Sequence, residues 1–125
     1  MARRRRLARL GPMGKLRQII LPVQDVGAAV THYCDALGLE LRFQDGDRWA
    51  VLDAGELALA LAGPGEQPAD GQPALGVKVA DLDVAVREVV DSGGAVLDAP
   101  RDGAHERRAA CRDRFGTVLA LYEPR

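Results

Sequence analysis

The sequence predicts an α+β fold: tandem βαβββ modules forming a curled mixed sheet around a cavity, with the helices on the outer face. Three observations lead there. The chain repeats itself at a constant offset of 56 residues; each copy carries one apolar stripe at helical spacing with signals for its start and stop; and strand-like runs flank both stripes.

The repeat lies in VQDVGAAVTHYCDALGLEL (23–41) and VADLDVAVREVVDSGGAVL (79–97). The identical pairs are Val23/Val79, Asp25/Asp81, Ala29/Ala85, Val30/Val86, Asp35/Asp91, Gly38/Gly94 and Leu41/Leu97. Asp25 and Asp81 stand just ahead of the stripes, where a short side-chain acceptor satisfies the free N–H groups of a first helical turn. The stripes run through Val26, Ala29, Val30, Tyr33 and Leu37, and through Leu82, Ala85, Val86, Val89 and Val90. Gly38 and Gly94 stand where the two helices should stop.

The opening strand is LRQIILPV (16–23). After the first helix come LELRFQ (39–44), RWAVLD (48–53) and ELALALA (56–62), divided by the turn pairs at 45–46 and 54–55. ALGVKV (74–79) precedes the second helix, and AVLD (95–98), RRAACR (107–112) and TVLALYE (117–123) follow it, punctuated by Pro100, Gly103 and Gly116. The Gly- and Pro-dense stretch AGPGEQPADGQP (62–73) reads as a linker. The expected organisation is a basic arm at 1–14 and one domain at 15–125, divided into module 1 (15–62), linker (63–73) and module 2 (74–125). One module cannot cover both faces of its own sheet, so the two must pack as a unit.

Composition agrees with a single globular domain. The chain has 125 residues and a mass of 13.4 kDa, with 47% hydrophobic and 28% charged residues, a balance that excludes a disordered chain. No apolar run approaches the ~20 residues a bilayer span needs. Five arginines and no acid fall in residues 1–14, which leaves 12 Lys and Arg against 18 Asp and Glu in the rest. Such an arm can contact nucleic-acid phosphates, but the body shows no basic stripe and few aromatics. Nucleic acid is therefore not the expected partner, and the arm reads as a tail or as sequence preceding a start at Met13. No apolar segment follows the arginines as a secretory signal requires. Cys34 and Cys111, with no CxxC and no histidine at zinc-finger spacing, read as free thiols of a reducing cytoplasm, the expected location.

Strand parity points to the functional face. Leu57, Leu59 and Leu61 oppose Glu56, Ala58, Ala60 and Ala62; Leu119 and Leu121 oppose Val118, Ala120 and Tyr122. Likewise Leu75, Val77 and Val79 oppose Ala74, Gly76 and Lys78, and Ile19, Leu21 and Val23 oppose Gln18, Ile20 and Pro22. The bulky face should meet the helices. The small face is too mixed to fill an interior and not charged enough for a plain solvent face, so it is expected to line a cavity. A GC-rich genome would supply many of the 20 alanines, but not their parity.

The order and spacing of LPVQDV, HYCDALGLEL, VADLDVAVREVVDSGGAVL and DRFGTVLALYEP resemble the vicinal oxygen chelate superfamily over residues 16–124. That superfamily includes glyoxalase I, extradiol dioxygenases, fosfomycin-resistance enzymes and bleomycin-resistance proteins. The resemblance implies a divalent metal held by His, Gln or Glu from the first and last strand of each module. Those positions fall on Gln18, Ala60 (Ala58 if the register slips by two), Ala74 and Ala120. Three of the four carry no donor atom, whereas a catalytic metal generally needs about three protein ligands. His32 and His105 are not at ligand positions.

FQDGDRWAVLDAGELALAL (43–61) and the Leu-Pro at 21–22 resemble the metal-free, bleomycin-resistance-like branch. This implies a homodimer, with strand exchange as one arrangement of it, that binds a small molecule such as an antibiotic or aromatic natural product, with no catalytic residues and no cofactor. The expected cavity residues are Gln18, Trp49, Ala58, Ala60, Ala74, Lys78, Arg108, Ala120 and Tyr122. Trp49 and Tyr122 would offer flat surfaces, while Lys78, Gln18 and Arg108 would fix polar groups. Each has a plainer reading: Trp49 as core packing and Lys78 as a surface side chain lying along the sheet edge. The alternative is a glyoxalase-, dioxygenase- or epimerase-type enzyme of the same fold. It would be metal-dependent through Gln18, His105 and Glu106, or metal-free with Lys78 or Glu56 moving protons.

Overall fold

A computed structural model describes residues 14–125; the arginines of the basic arm and the candidate start at Met13 lie outside the described residues. The described residues form β1 (Gly14–Pro22), α1 (Val26–Leu37), β2 (Glu40–Asp45), β3 (Trp49–Asp53), β4 (Ala58–Ala62), β5 (Ala74–Val79), α2 (Leu82–Asp91), β6 (Ala95–Asp102), β7 (Glu106–Arg112) and β8 (Val118–Pro124). The strands make one mixed eight-stranded sheet in the order β2-β3-β4-β1-β5-β8-β7-β6, not closed into a barrel. Each module contributes four neighbouring strands, and the antiparallel pair β1·β5 joins them. Within each module the first and last strands run parallel, β1 beside β4 and β5 beside β8, so the intervening helix lies across the sheet.

Both helices start where the aspartates direct. Asp25 accepts from the Ala28 N–H at 2.9 Å and Asp81 from the Val84 N–H at 3.1 Å. α1 stops at Gly38, whose φ of 69° is left-handed and whose N–H donates to the Cys34 carbonyl. α2 stops two residues before Gly94, because the Ser92 hydroxyl bonds the Glu88 and Val89 carbonyls and Gly93 takes the left-handed turn. The apolar stripes also end sooner than their spacing suggests, with Leu37 66% and Val90 41% exposed. β6 extends four residues beyond the expected run, through Pro100, because an edge strand tolerates a missing donor.

The bulky face of the sheet meets the helices. α1 covers Leu21, Ala50, Leu52, Leu59 and Leu61, while α2 covers Val77, Val79, Ala109, Cys111, Leu119 and Leu121. The start of α2 is also tied to the last strand, since the Leu82 N–H donates to Glu123 Oε1 at 2.8 Å. Beside it Arg107 bridges Asp83 and Asp102, and Arg125 reaches the same Asp102 at 2.9 Å.

Residues 63–73 form a strap across one end of the helix-free face. Gly63 donates to the Arg48 carbonyl, and the Arg48 guanidinium grips Glu66 Oε1 through two nitrogens at 2.9 and 3.0 Å. At the strap's other end Arg112 donates to Gln72 Oε1 and to the Gly116 carbonyl, both at 2.9 Å. Ala69 then packs against Ile20, Ala60, Ala62, Ala74 and Val118.

Two outcomes test this packing. Asp25→Ala and Asp81→Ala should each lower stability by about 1 kcal/mol in urea unfolding, and Glu123→Ala by about as much or more through loss of a charge-assisted bond. Burial pushes the Cys111 thiol above its ordinary value of 9.0. The folded state then keeps a proton that the unfolded chain loses above that pH, so this contribution to stability is intact below pH 9 and falls as pH rises beyond it. Unfolding midpoints should decline above pH 9, less steeply in Cys111→Ala, and a thiol reagent should label half-buried Cys34 while sparing Cys111 until the chain unfolds.

Candidate functional site

The strand register arranges the helix-free face into three rows that cross the sheet. The first runs Val51–Ala60–Ile20–Ala74–Val118 over β3, β4, β1, β5 and β8. It is dry: Ile20, Ala60, Ala74 and Val118 are each at most 3% exposed, with Trp49 and the strap's Ala69 packed against them. The second runs Asp53–Ala58–Gln18–Gly76–Ala120–Ala110–Asp98, a floor of small side chains with carboxylates at both ends. The third runs Lys15–Lys78–Tyr122–Arg108–Arg101 over β1, β5, β8, β7 and β6.

The nine residues expected at the site therefore share one face but not one environment. Ala60 and Ala74 are sealed in the dry row, and Trp49 sits half-buried at its rim, packed on the cluster. Gln18, Ala58 and Ala120 are half-buried on the small-residue floor, with Tyr122 half-buried one row further out. Lys78 and Arg108 are exposed on either side of Tyr122. The Gln18 side chain lies flat across Gly76, where any Cβ would overlap its Cγ and stand 3.1 Å from its amide nitrogen. A side chain at 76 would therefore have to push the Gln18 side chain out of this position.

Burial pushes the Tyr122 phenol above its ordinary value; the nearby Glu106 charge adds to this, while Arg17 opposes it by charge and hydrogen bonding. Arg17 was not legible as a site residue, because plain alternation puts it on the helix side of β1. The register slips between Leu16 and Gln18, and this bulge breaks the alternation. The expectation that the body lacks a basic stripe also fails. Lys15, Lys78, Arg101 and Arg108 are scattered in sequence, and only pairing aligns them.

The residues present do not fit the divalent metal that the resemblance brings with it. The positions Gln18, Ala60, Ala74 and Ala120 do gather around the β1·β5 pair, but only Gln18 has a donor, one amide oxygen. Among the described residues no three of His, Cys, Asp and Glu come close enough to share an ion. Gln18, His105 and Glu106 are not brought together: three strand spacings, about 14 Å, and four residues along β7 separate Gln18 from Glu106. His105 is exposed in the β6–β7 turn, His32 is exposed on α1 with its ring edge-on to Tyr33, and Glu56 is exposed between β3 and β4. A separate cleft of about 340 Å³ opens between the end of β1 and the strap, lined by Pro22, Gln24, Pro64, Gln67 and Asp70 among others. It contains none of the nine residues.

Comparison with known proteins bears on this arrangement. The chain is 38% identical over 110 residues to an uncharacterized protein of Mycolicibacterium smegmatis, covering 88% of this chain and 94% of that one. Its fold is similar to that of a glyoxalase/bleomycin resistance protein/dioxygenase superfamily member from Vibrio splendidus 12B01, with a TM-score of 0.68, 18% identity and coverage of 87% and 99%. It is also similar to methylmalonyl-CoA epimerase from Mycobacterium tuberculosis, with a TM-score of 0.65, 24% identity and coverage of 88% and 87%. These two likenesses concern the fold alone. Residues 15–121 match the family profile itself, and with two βαβββ modules joined through β1 and β5 the chain belongs to the Glyoxalase/Bleomycin resistance protein/Dioxygenase superfamily.

Proposed function

We propose that this chain is a metal-free small-molecule binding member of its superfamily, taking up a flat apolar ligand such as an antibiotic or aromatic natural product on the helix-free face. One observation carries the reading: Ala60, Ala74 and Ala120 occupy three of the four positions that the resemblance assigns to metal ligands, and they share a face with Gln18. A floor of alanine and glycine removes donors and stays partly open at Ala58 and Ala120, while Gly76 lies beneath the Gln18 side chain and Ala110 is buried. Trp49 at one end and Tyr122 at the other supply aromatic surface, and the Gln18 amide, held over Gly76, supplies the central polar contact. In this reading the protein is a cytoplasmic homodimer whose role is sequestration, as in antibiotic resistance, rather than turnover.

Elemental analysis of the purified chain, combined with thermal-shift screening against divalent metals and aromatic antibiotics, tests the proposal. The expected result is no stoichiometric metal and stabilisation by at least one polycyclic ligand. Stoichiometric Ni, Zn, Mn or Fe with turnover of a glyoxalase, dioxygenase or epimerase substrate would overturn it. Sedimentation of the same sample tests the homodimer.

Two variants report on the floor. Ala120→Leu should abolish ligand binding while leaving the urea midpoint nearly unchanged, because the floor at 120 is only half-buried. Ala60→Leu should instead lower stability by about 1–3 kcal/mol through overpacking of the dry row. Gly76→Ala should displace the Gln18 side chain and weaken a bound ligand to the same extent as Gln18→Ala.

A further inference from the structure

The third row of the helix-free face bears on which ligand the floor would take. From Lys15 to Arg101 it crosses five strands, about 19 Å at strand spacing. Four of its five members are cationic. Lys15 faces Lys78 directly across β1·β5, and Arg108 faces Arg101 across β6·β7. Like charges placed directly opposite one another destabilise a sheet. Arg101 is offset by Asp98 at 3.2 Å. Lys15, Lys78 and Arg108 have no carboxylate within ion-pair distance among the described residues, although Glu106 shares the face two residues from Arg108 on β7. Arg17 adds a further positive charge beside Tyr122.

On one side the row borders the apolar floor, and on the other β7 and β8 continue to Glu106 and exposed Pro124. Two residues along each strand, about 7 Å away, lies the floor of Ala58, Gly76, Ala120 and Ala110, and two residues beyond that the dry row under Trp49. Polarity thus falls in one direction along the strands, from cation to methyl to buried core. At the other end of the floor Asp53 is already engaged by Arg42 and by the Gly55 N–H.

We infer that the face binds an amphiphilic organic oxyanion, with its carboxylate or phosphate between Lys78 and Arg108 beside Tyr122 and its flat apolar body across Ala120 and the Gln18 side chain that covers Gly76, toward Trp49. This rests on the small-molecule reading above and adds the charge of the ligand to it. The guanidinium of Arg108 presents a fork suited to two oxygens, Lys78 supplies a mobile point charge, and the phenol of Tyr122 donates a hydrogen bond. The methyl floor then desolvates the aromatic body.

Fluorescence titration of the full chain with two matched probes tests this: 8-anilinonaphthalene-1-sulfonate, which is anionic, and N-phenyl-1-naphthylamine, which is neutral. The expected result is tighter binding of the anionic probe, weakened about tenfold or more by Lys78→Glu or Arg108→Glu. The neutral probe should change less than about twofold in the same variants. Arg87→Glu, on the exposed side of α2, should leave both unchanged. Displacement of the anionic probe by 1-naphthoate, by 1-naphthyl phosphate or by both supports the inference and says which oxyanion is preferred. Equal affinity for the two probes with no effect of charge reversal overturns the oxyanion inference and leaves the small-molecule reading standing. Failure of both probes and both naphthyl acids to bind overturns both. Duplex DNA bound through Lys78 and Arg108 with no probe response would assign the row to nucleic acid instead. A dimer that Lys78→Glu dissociates, again with no probe response, would assign it to a second copy; either result overturns the inference.

Discussion

The antiparallel pairing of β1 with β5 is the constraint on which the rest depends. Each module has a helix for one face of its four strands and nothing for the other. Pairing the two first strands makes one wide sheet whose helix-free face is continuous, and it sets the register on both sides. Since side chains alternate with a period of two, a slip of one residue at this seam would turn every alanine of one module to the wrong side. The bulge between Leu16 and Gln18 sits on this seam, so the slip it introduces is local: Ile19 and Leu21 still face the helices, and Ile20 faces the strap.

Much of the fold was legible because local chemistry and global arrangement agree. Asp25 and Asp81 cap the helices they precede, Gly38 ends the first of them, and leucines alternating with alanines turn the correct side of β4 and β8 toward the helices. What escaped was tertiary. Ala58 and Ala60 look equivalent in sequence, yet one lies on the accessible floor and the other is sealed, because a linker that reads as a loop folds back over Ala60. Ser92 ended α2 through its hydroxyl before the glycine of the repeat was reached. The cationic row escaped for a related reason. Its members come from positions 15, 78, 101 and 108, and no periodicity in sequence joins residues that meet only through pairing.

The two modules share an order of elements but carry different charges on the helix-free face. Module 1 brings Glu40 and Asp53 to its part of the helix-free face, with Arg42 paired to Asp53, and adds Lys15 to the cationic row. Module 2 brings Lys78, Arg101 and Arg108. A repeated architecture thus presents an asymmetric surface: the floor keeps a carboxylate at each end, and the cations gather in the row along one side of it, mostly from module 2. The strap follows the same division: Arg48 holds it to module 1 and Arg112 to module 2, so the dry row is closed by contacts from both halves.

An open sheet must also stop. β2 and β6 are its outer strands, each with unpaired backbone groups on one side and with exposed apolar side chains: Leu41 and Phe43 on one rim, Val96 and Leu97 on the other. Such rims template further strands and so invite runaway stacking of chains. Both are interrupted. The β2·β3 ladder shifts between Leu41 and Phe43, and the β6·β7 ladder shifts twice, between Val96 and Asp98 and between Asp98 and Arg101, with Pro100 inside the second shift. A strand twisted out of plane and missing a donor offers a poor match to a straight incoming one. The same irregularities and Pro100 that mark the far end of β6 thus make the rims of this edge-rich sheet poor templates for a further strand.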